Sequence, residues 1–284
     1  MSKVAVITDS TAYLPDDLVK KLNITVAPQI LIWGEQTFLD GVDIQPIEFY
    51  KRLTTAKVMP TTSQVTPVTM KAIYEKLLGE GCEIIGIYLS SKLSGTVQSA
   101  LLAKDMIPEA KDKITVVDSC LTSMAMGFQV LRVAEAAQGG AKMAECQKIA
   151  EKAKAHTGVL FVVDTLEFLH RGGRIGGAKK FFGTALNIKP ILELRDGRIE
   201  AVEQVRTKGK AYERMLELLE ERIGGRTPLR LSSLHANAEA DARSLFDKAV
   251  EKLHPIETVF ASVSPVIGAQ AGPGTVGLAY MAGM

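Results

Sequence analysis

Three times in the first part of the chain a short apolar run ends in a hydroxyl-rich turn, and each turn leads into a segment with helical signals. Residues 4–7 end in Thr8-Asp9-Ser10-Thr11. Residues 84–89 end in Ser90-Ser91-Lys92-Leu93-Ser94-Gly95-Thr96, and residues 114–117 end in Asp118-Ser119. Apolar runs this short, bounded by turn residues, read as strands buried on both faces. Pro15 followed by Asp16 and Asp17 marks a helix start. The spacing predicts a helix over 97–107 with Val97, Leu101, Leu102 and Ile107 as its apolar side, and another over 122–137 that stops at Gly139-Gly140. Alternating strands and helices imply βαβ units in a mostly parallel sheet. All carboxyl ends of such a sheet lie on one edge, so the hydroxyl-rich turns are expected to converge there.

The rest of the first half continues this grammar. A strand is expected over 24–32, turning at Trp33-Gly34-Glu35 into Thr37-Phe38-Leu39, and helices open at Pro46 and Pro67. Met59 precedes a proline and is pushed to extended geometry, which leaves Thr61-Thr62-Ser63 as a separate polar turn. A more charged helix covers 141–156, and strand 159–163 ends in Asp164-Thr165. The organisation then changes. Residues 188–194 and 199–205 flank Arg195-Asp196-Gly197-Arg198, whose Asp-Gly pair signals a hairpin. Helices over 208–223 and 238–253 enclose a strand at 229–234 that ends in His235. Apolar runs at 258–261 and 263–267 lead into a glycine-rich segment, 268–277. The expected fold class is therefore two-domain α/β. A mostly parallel sheet forms an N-terminal domain at 1–157, and a mixed sheet forms a C-terminal α/β domain at 158–284.

Charge and composition exclude several classes of function. With 34 basic and 32 acidic residues the net charge is +2, so there is no electrostatic footprint for nucleic acid. No apolar run approaches membrane-spanning length. The N-terminus turns polar at Thr8-Asp9, too early for a signal peptide, and a cytoplasmic location is the expectation. Cys82, Cys120 and Cys146 are widely spaced, and His156, His170, His235 and His254 form no H-x-x-x-H pair, so no metal site is expected. Gly272-Pro273-Gly274-Thr275-Val276-Gly277 matches G-x-G-x-x-G. Seven residues remain after Gly277, too few for the helix and acidic partner of a dinucleotide site. No cofactor is expected.

Two readings of the hydroxyl-rich turns stand side by side. Thr96 or Ser94 can simply cap the helix that follows, as such residues do in any α/β protein. Neutral hydroxyls and backbone amides at a helix N-terminus also suit a carboxylate or phosphate oxygen. Arg171, Arg174 and Arg206 are either solvated charges or contacts for a phosphate or an acidic partner surface. Ser94, His235 and Asp118 supply the residue types of a nucleophilic triad, which leaves a serine-dependent hydrolase or transferase as the alternative function. The G-x-S-x-G elbow that would present such a serine is absent.

Five segments occur in order: Thr8-Asp9-Ser10-Thr11-Ala12, Pro60-Thr61-Thr62-Ser63-Gln64, Ser90-Ser91-Lys92-Leu93-Ser94-Gly95-Thr96, Gly172-Gly173-Arg174-Ile175 and Gly272-Pro273-Gly274. Together they resemble the DegV family of bacterial lipid-binding proteins, over nearly the whole chain. The resemblance implies a two-domain α/β protein that buries a long-chain fatty acid such as palmitate, stearate or oleate between or within its domains. It implies that Thr62 and Ser94 hold the carboxylate. It further implies a non-catalytic subunit that presents the carboxylate to a separate ATP-dependent fatty acid kinase, giving acyl phosphate for phospholipid synthesis, with transient contact at a membrane surface. Arg174 and Arg206 are similar to arginines implicated in working with that partner. One position departs from the family pattern. Many members carry a histidine where this chain has Gln270, a weaker head-group ligand that can donate a hydrogen bond but cannot become cationic near neutral pH.

Overall fold

The computed structural model describes residues 3–183 and 188–284. The first half runs β1 (Lys3–Asp9), α1 (Asp16–Lys21), β2 (Thr25–Ala27), β3 (Ile30–Trp33), β4 (Gln36–Leu39), α2 (Pro46–Leu53), β5 (Thr61–Ser63), α3 (Pro67–Gly79), β6 (Cys82–Tyr88), α4 (Thr96–Asp105), β7 (Ile114–Asp118), α5 (Ser123–Gln138) and α6 (Met143–Lys154). The second half runs β8 (Thr157–Val162), α7 (Glu167–Arg171), β9 (Lys189–Arg195), β10 (Arg198–Val205), α8 (Lys208–Ile223), β11 (Leu229–His235), α9 (Glu239–Leu253), β12 (Glu257–Ser262), α10 (Pro265–Ala271) and β13 (Val276–Ala282).

The fold is mixed α/β, as the alternation of elements predicts. Strands β2-β1-β6-β7 form a parallel sheet, and β10-β9-β8-β13-β11-β12 form a mixed one. In the second sheet only β11 and β12 pair in parallel. The central strands of both sheets are buried on both faces, and the strand period of two sorts their side chains. Val4 and Val6 of β1, Ile85 and Ile87 of β6, and Val159 and Phe161 of β8 enter one core between the sheets. Ala5, Ile7 and Ile84 turn the other way, toward α3 and α4, while Leu160 and Val162 turn toward α8 and α9. Helix α5 lies in the central layer and touches strands of both sheets. Its buried faces include Met124, Ala125, Met126, Phe128 and Val130, so almost no side of it sees water.

Four local expectations change in the structure. The run at 24–32 does not make one strand: Pro28 cannot continue a ladder, and the chain splits into β2 of the parallel sheet and β3 of a third sheet. Thr61-Thr62-Ser63 is a strand, β5, which completes that third sheet in the order β4-β3-β5 with Thr62 opposite Leu31. Helix α4 buries Val97, Ala100 and Ala103, whereas Leu101 and Leu102 face solvent at 40% and 44% exposure. The small residues let α4 lie close to α3, and this contact sets the buried face. Finally, the glycine-rich segment ends in β13, whose apolar residues 278–282 form the strand between β8 and β11.

The hairpin at Asp196-Gly197 joins β9 to β10. Both residues have positive φ, 49° and 80°, the requirement of a type I′ turn that Asp-Gly meets with little strain. The tip reaches the other half of the molecule, where Ser90 Oγ donates to the Gly197 carbonyl at 2.7 Å.

Candidate functional site

Between the two sheets, beside α5, lies a cleft of about 1080 Å³ measured with its mouth. Its walls are mostly apolar: Leu89, Val159, Phe161, Leu194, Leu234 and Val263 among others. Thr62, Ser94, Gln270 and Arg174 all border it, so the structure brings together four positions drawn from widely separated segments. Arg206 is not among them; it is exposed, just beyond the end of β10.

Each hydroxyl is placed by a different element and held in a particular hydrogen-bonding state. Thr62 projects from the middle of β5, and its Oγ1 accepts from Gln270 Nε2 at 3.0 Å. Gln270 stands in the last turn of α10, and its Oε1 is buried without a partner among the described residues. Ser94 lies in the turn between β6 and α4, with its Oγ 3.0 Å from Thr96 Oγ1. Thr96 Oγ1 already accepts from Gln29 Nε2 at 2.8 Å, so its own proton is available for Ser94 Oγ. With Thr96 as the donor in that shared bond, Thr62 and Ser94 both keep a proton to give to an oxygen in the cleft.

Buried carboxylates brace these turns from behind. Asp9 accepts from the Leu89 amide at 2.8 Å and from Thr11 N at 3.0 Å, tying the end of β1 to the start of the Ser94 turn. Asp40 accepts from Ser10 Oγ at 2.6 Å, and Ser10 Oγ in turn accepts from the Gln29 amide at 3.0 Å. Asp40 also accepts from the Val266 amide at 3.3 Å, at the start of α10. Burial raises the proton affinity of both; Asp40 is pushed up to about 6, and hydrogen bonds from Ser10 and Val266 offset only part of the desolvation.

Arg174 is the only charged side chain in the described cleft wall. Its Nε donates to the Leu93 carbonyl at 3.0 Å and its Nη1 to the Gly172 carbonyl, so it joins the glycine-rich loop to the Ser94 turn. Gly172 is needed here for space. A Cβ at that position would stand 1.7 Å from Gln270 Oε1.

The residue types of a triad are not assembled. His235 Nε2 lies 3.3 Å from Ser262 Oγ, its Nδ1 has no partner among the described residues, and burial lowers its proton affinity. Asp118 accepts from the Cys120 amide at 2.9 Å and from the Ser91 amide. Ser94 contacts neither. No group of three or more His, Cys, Asp or Glu that could hold a metal occurs among the described residues. No described helix is long and apolar enough to cross a membrane.

Sequence reasoning passed over several cleft residues. Gln29 follows Pro28 inside what reads as one apolar strand, and Thr122-Ser123 reads only as the start of an apolar helix.

The sequence profile of the DegV family, described as a family of uncharacterised proteins, matches residues 3–283. The chain belongs to the DegV family. It is 38% identical over 277 residues to a DegV domain-containing protein of Streptomyces coelicolor, covering 97% of each chain. Protein DegV of Bacillus subtilis is 34% identical over 280 residues, with 98% of each covered. Among solved DegV structures, a protein from Thermus thermophilus described for its fatty acid binding superposes with a TM-score of 0.93 at 35% identity, covering 99% of both chains. Bacillus subtilis DegV, described as a fatty acid binding protein, superposes with a TM-score of 0.90 at 33% identity, covering 99% of this chain and 100% of its own.

Proposed function

We propose that this DegV protein binds one long-chain fatty acid, such as palmitate, stearate or oleate, with the acyl chain in the intersheet cleft and the carboxylate at Thr62 and Ser94. The carrying observation is the combination in one apolar cleft of two hydroxyls from distant segments, each able to donate to a carboxylate oxygen. Fatty acid binding by the Thermus and Bacillus relatives supports this reading. Burying a saturated sixteen-carbon chain contributes on the order of 10 kcal/mol at about 0.8 kcal/mol per CH₂. Affinity then comes from the cleft wall, and the hydroxyls orient the head group, with Gln270 holding Thr62 in place.

In this reading the protein has no catalytic role of its own and needs no cofactor. It is a cytoplasmic carrier of two domains, 1–157 and 158–284, with the lipid at their junction. It presents the carboxylate to a separate ATP-dependent kinase subunit, with Arg174 and Arg206 on the partner side, for acyl-phosphate formation, and meets a membrane surface transiently. A hydrolase using Ser94 would require a base within hydrogen-bond reach, and the nearest polar partner of Ser94 is the Thr96 hydroxyl. The test is native mass spectrometry and lipid extraction of the protein purified from a bacterial host. Co-purifying fatty acid, or uptake of added palmitate or oleate, is expected; failure of both overturns the assignment.

A further inference from the structure

Helix α5 begins inside the cleft and begins uncapped. Thr122, at its N-cap position, makes no capping hydrogen bond, and its Oγ1 is buried without a partner among the described residues. Ser123, the first helical residue, is 4% exposed, borders the cleft, and makes no side-chain hydrogen bond among the described residues. The amides of Ser123, Met124 and Ala125 likewise find no acceptor among the described residues, since the first intrahelical bond runs from Met126 to Thr122. Buried helix ends ordinarily satisfy these donors with a cap or with water. Here a sixteen-residue helix directs the positive end of its dipole, with its spare donors, toward the same cleft that takes the apolar chain.

The position of this helix end relative to Ser94 follows from the sheet. Strands β6 and β7 are parallel neighbours, with Tyr88 opposite Asp118, so the Ser94 turn and the start of α5 leave the same edge. The Ser90 amide donates to the Leu121 carbonyl at 2.8 Å, fastening one turn to the other. A hydrocarbon tail offers these donors nothing. A carboxylate, with lone pairs for about four hydrogen bonds, matches donors that come from both sides.

We infer that the N-terminus of α5, with the hydroxyls of Thr122 and Ser123, is a further part of the anion-binding site, taking a carboxylate oxygen of the ligand together with Thr62 and Ser94. The inference rests on the fatty-acid reading and adds to it. It explains how a carboxylate is accommodated where the chain carries Gln270: the helix end contributes positive potential without a titratable cation.

The test uses the delipidated full-length protein and two probes with the same tail, palmitate and 1-hexadecanol. Thr122→Val keeps the shape of the side chain and removes the hydroxyl. Ser123→Gly removes the other and suits the backbone, because Ser123 has a φ of 52°. Each variant is expected to weaken palmitate binding by about tenfold, the loss of a hydrogen bond to a charged group, while hexadecanol affinity stays within about twofold. Palmitate and hexadecanol affinities that move together, or that both stay unchanged, overturn the inference and leave water as the occupant of the helix end. A wild-type protein that binds neither probe overturns the fatty-acid reading itself, a separate and distinguishable result.

Discussion

Gly172→Ala tests whether the glycine-rich loop sets the position of Gln270. The backbone is permissive, since φ at Gly172 is −71°, ordinary for alanine. The space is not: the new Cβ would lie 1.7 Å from Gln270 Oε1 and 2.9 Å from its Cδ. Gln270 must therefore swing away and give up its 3.0 Å bond to Thr62 Oγ1. Losing that bond costs roughly 0.5–1.5 kcal/mol, and a displaced rotamer costs about as much again. Lower entropy of the unfolded chain returns about 0.4–1 kcal/mol. The expected net destabilisation is on the order of 1 kcal/mol in urea unfolding. In a Gln270→Ala background the obstacle is gone, and the same Gly172→Ala change should be neutral or stabilising by about 0.5 kcal/mol. The four proteins form a double-mutant cycle with an expected coupling of roughly 1–2 kcal/mol. Equal destabilisation in both backgrounds would refute the reasoning, because the cost would then come from Gly172 itself or from the Phe168 carbonyl at 3.3 Å.

Further outcomes are expected from the residues that brace the cleft. Asp40 binds its proton more tightly folded, at about 6, than at the ordinary value of 3.8, so its contribution favours the fold at low pH and is lost as pH rises through 6. Wild type should therefore lose about 3 kcal/mol relative to Asp40→Asn across that window, since 2.2 pH units at 1.36 kcal/mol each give that figure; a difference that does not vary with pH would exclude this role. Arg174→Ala should lower acyl-phosphate formation with a kinase subunit more than it lowers palmitate affinity, and the opposite order would count against a partner role. Thr62→Val combined with Ser94→Ala should weaken palmitate binding by at least tenfold, the loss of two donors to a charged oxygen, while unchanged affinity in a fluorescence competition assay would remove them from the head-group site.

Much of the architecture is already present in the order of residues. Short apolar runs ending in Thr8-Asp9, Ser90-Ser91 and Asp118-Ser119 demand buried parallel strands, and Asp196-Gly197 demands a hairpin, because these are local requirements of backbone geometry. The family motifs likewise name Thr62, Ser94 and Arg174 without any coordinates. Long-range pairing was another matter. Residues 278–282 are apolar in a way compatible with several roles, and only pairing with β8 and β11 makes them a central strand. Thr61-Thr62-Ser63 has turn composition and becomes a strand because β3 lies beside it.

The same division runs through the cleft. Its hydroxyls were implied by the family resemblance, but their hydrogen-bonding state depends on Gln29 and Gln270, which reach Thr96 and Thr62 across 67 and 208 positions of chain. The uncapped start of α5 was invisible for the same reason. Thr122 and Ser123 look like ordinary capping residues, and only the folded core shows the Thr122 hydroxyl buried without a partner among the described residues and both residues bordering the cleft. The sequence by itself determined most of the helices, the parallel strands that end in hydroxyl-rich turns and the Asp196-Gly197 hairpin, because these are local requirements of the backbone. Tertiary packing decided which donors remain unpaired, because that depends on groups brought together from opposite ends of the chain.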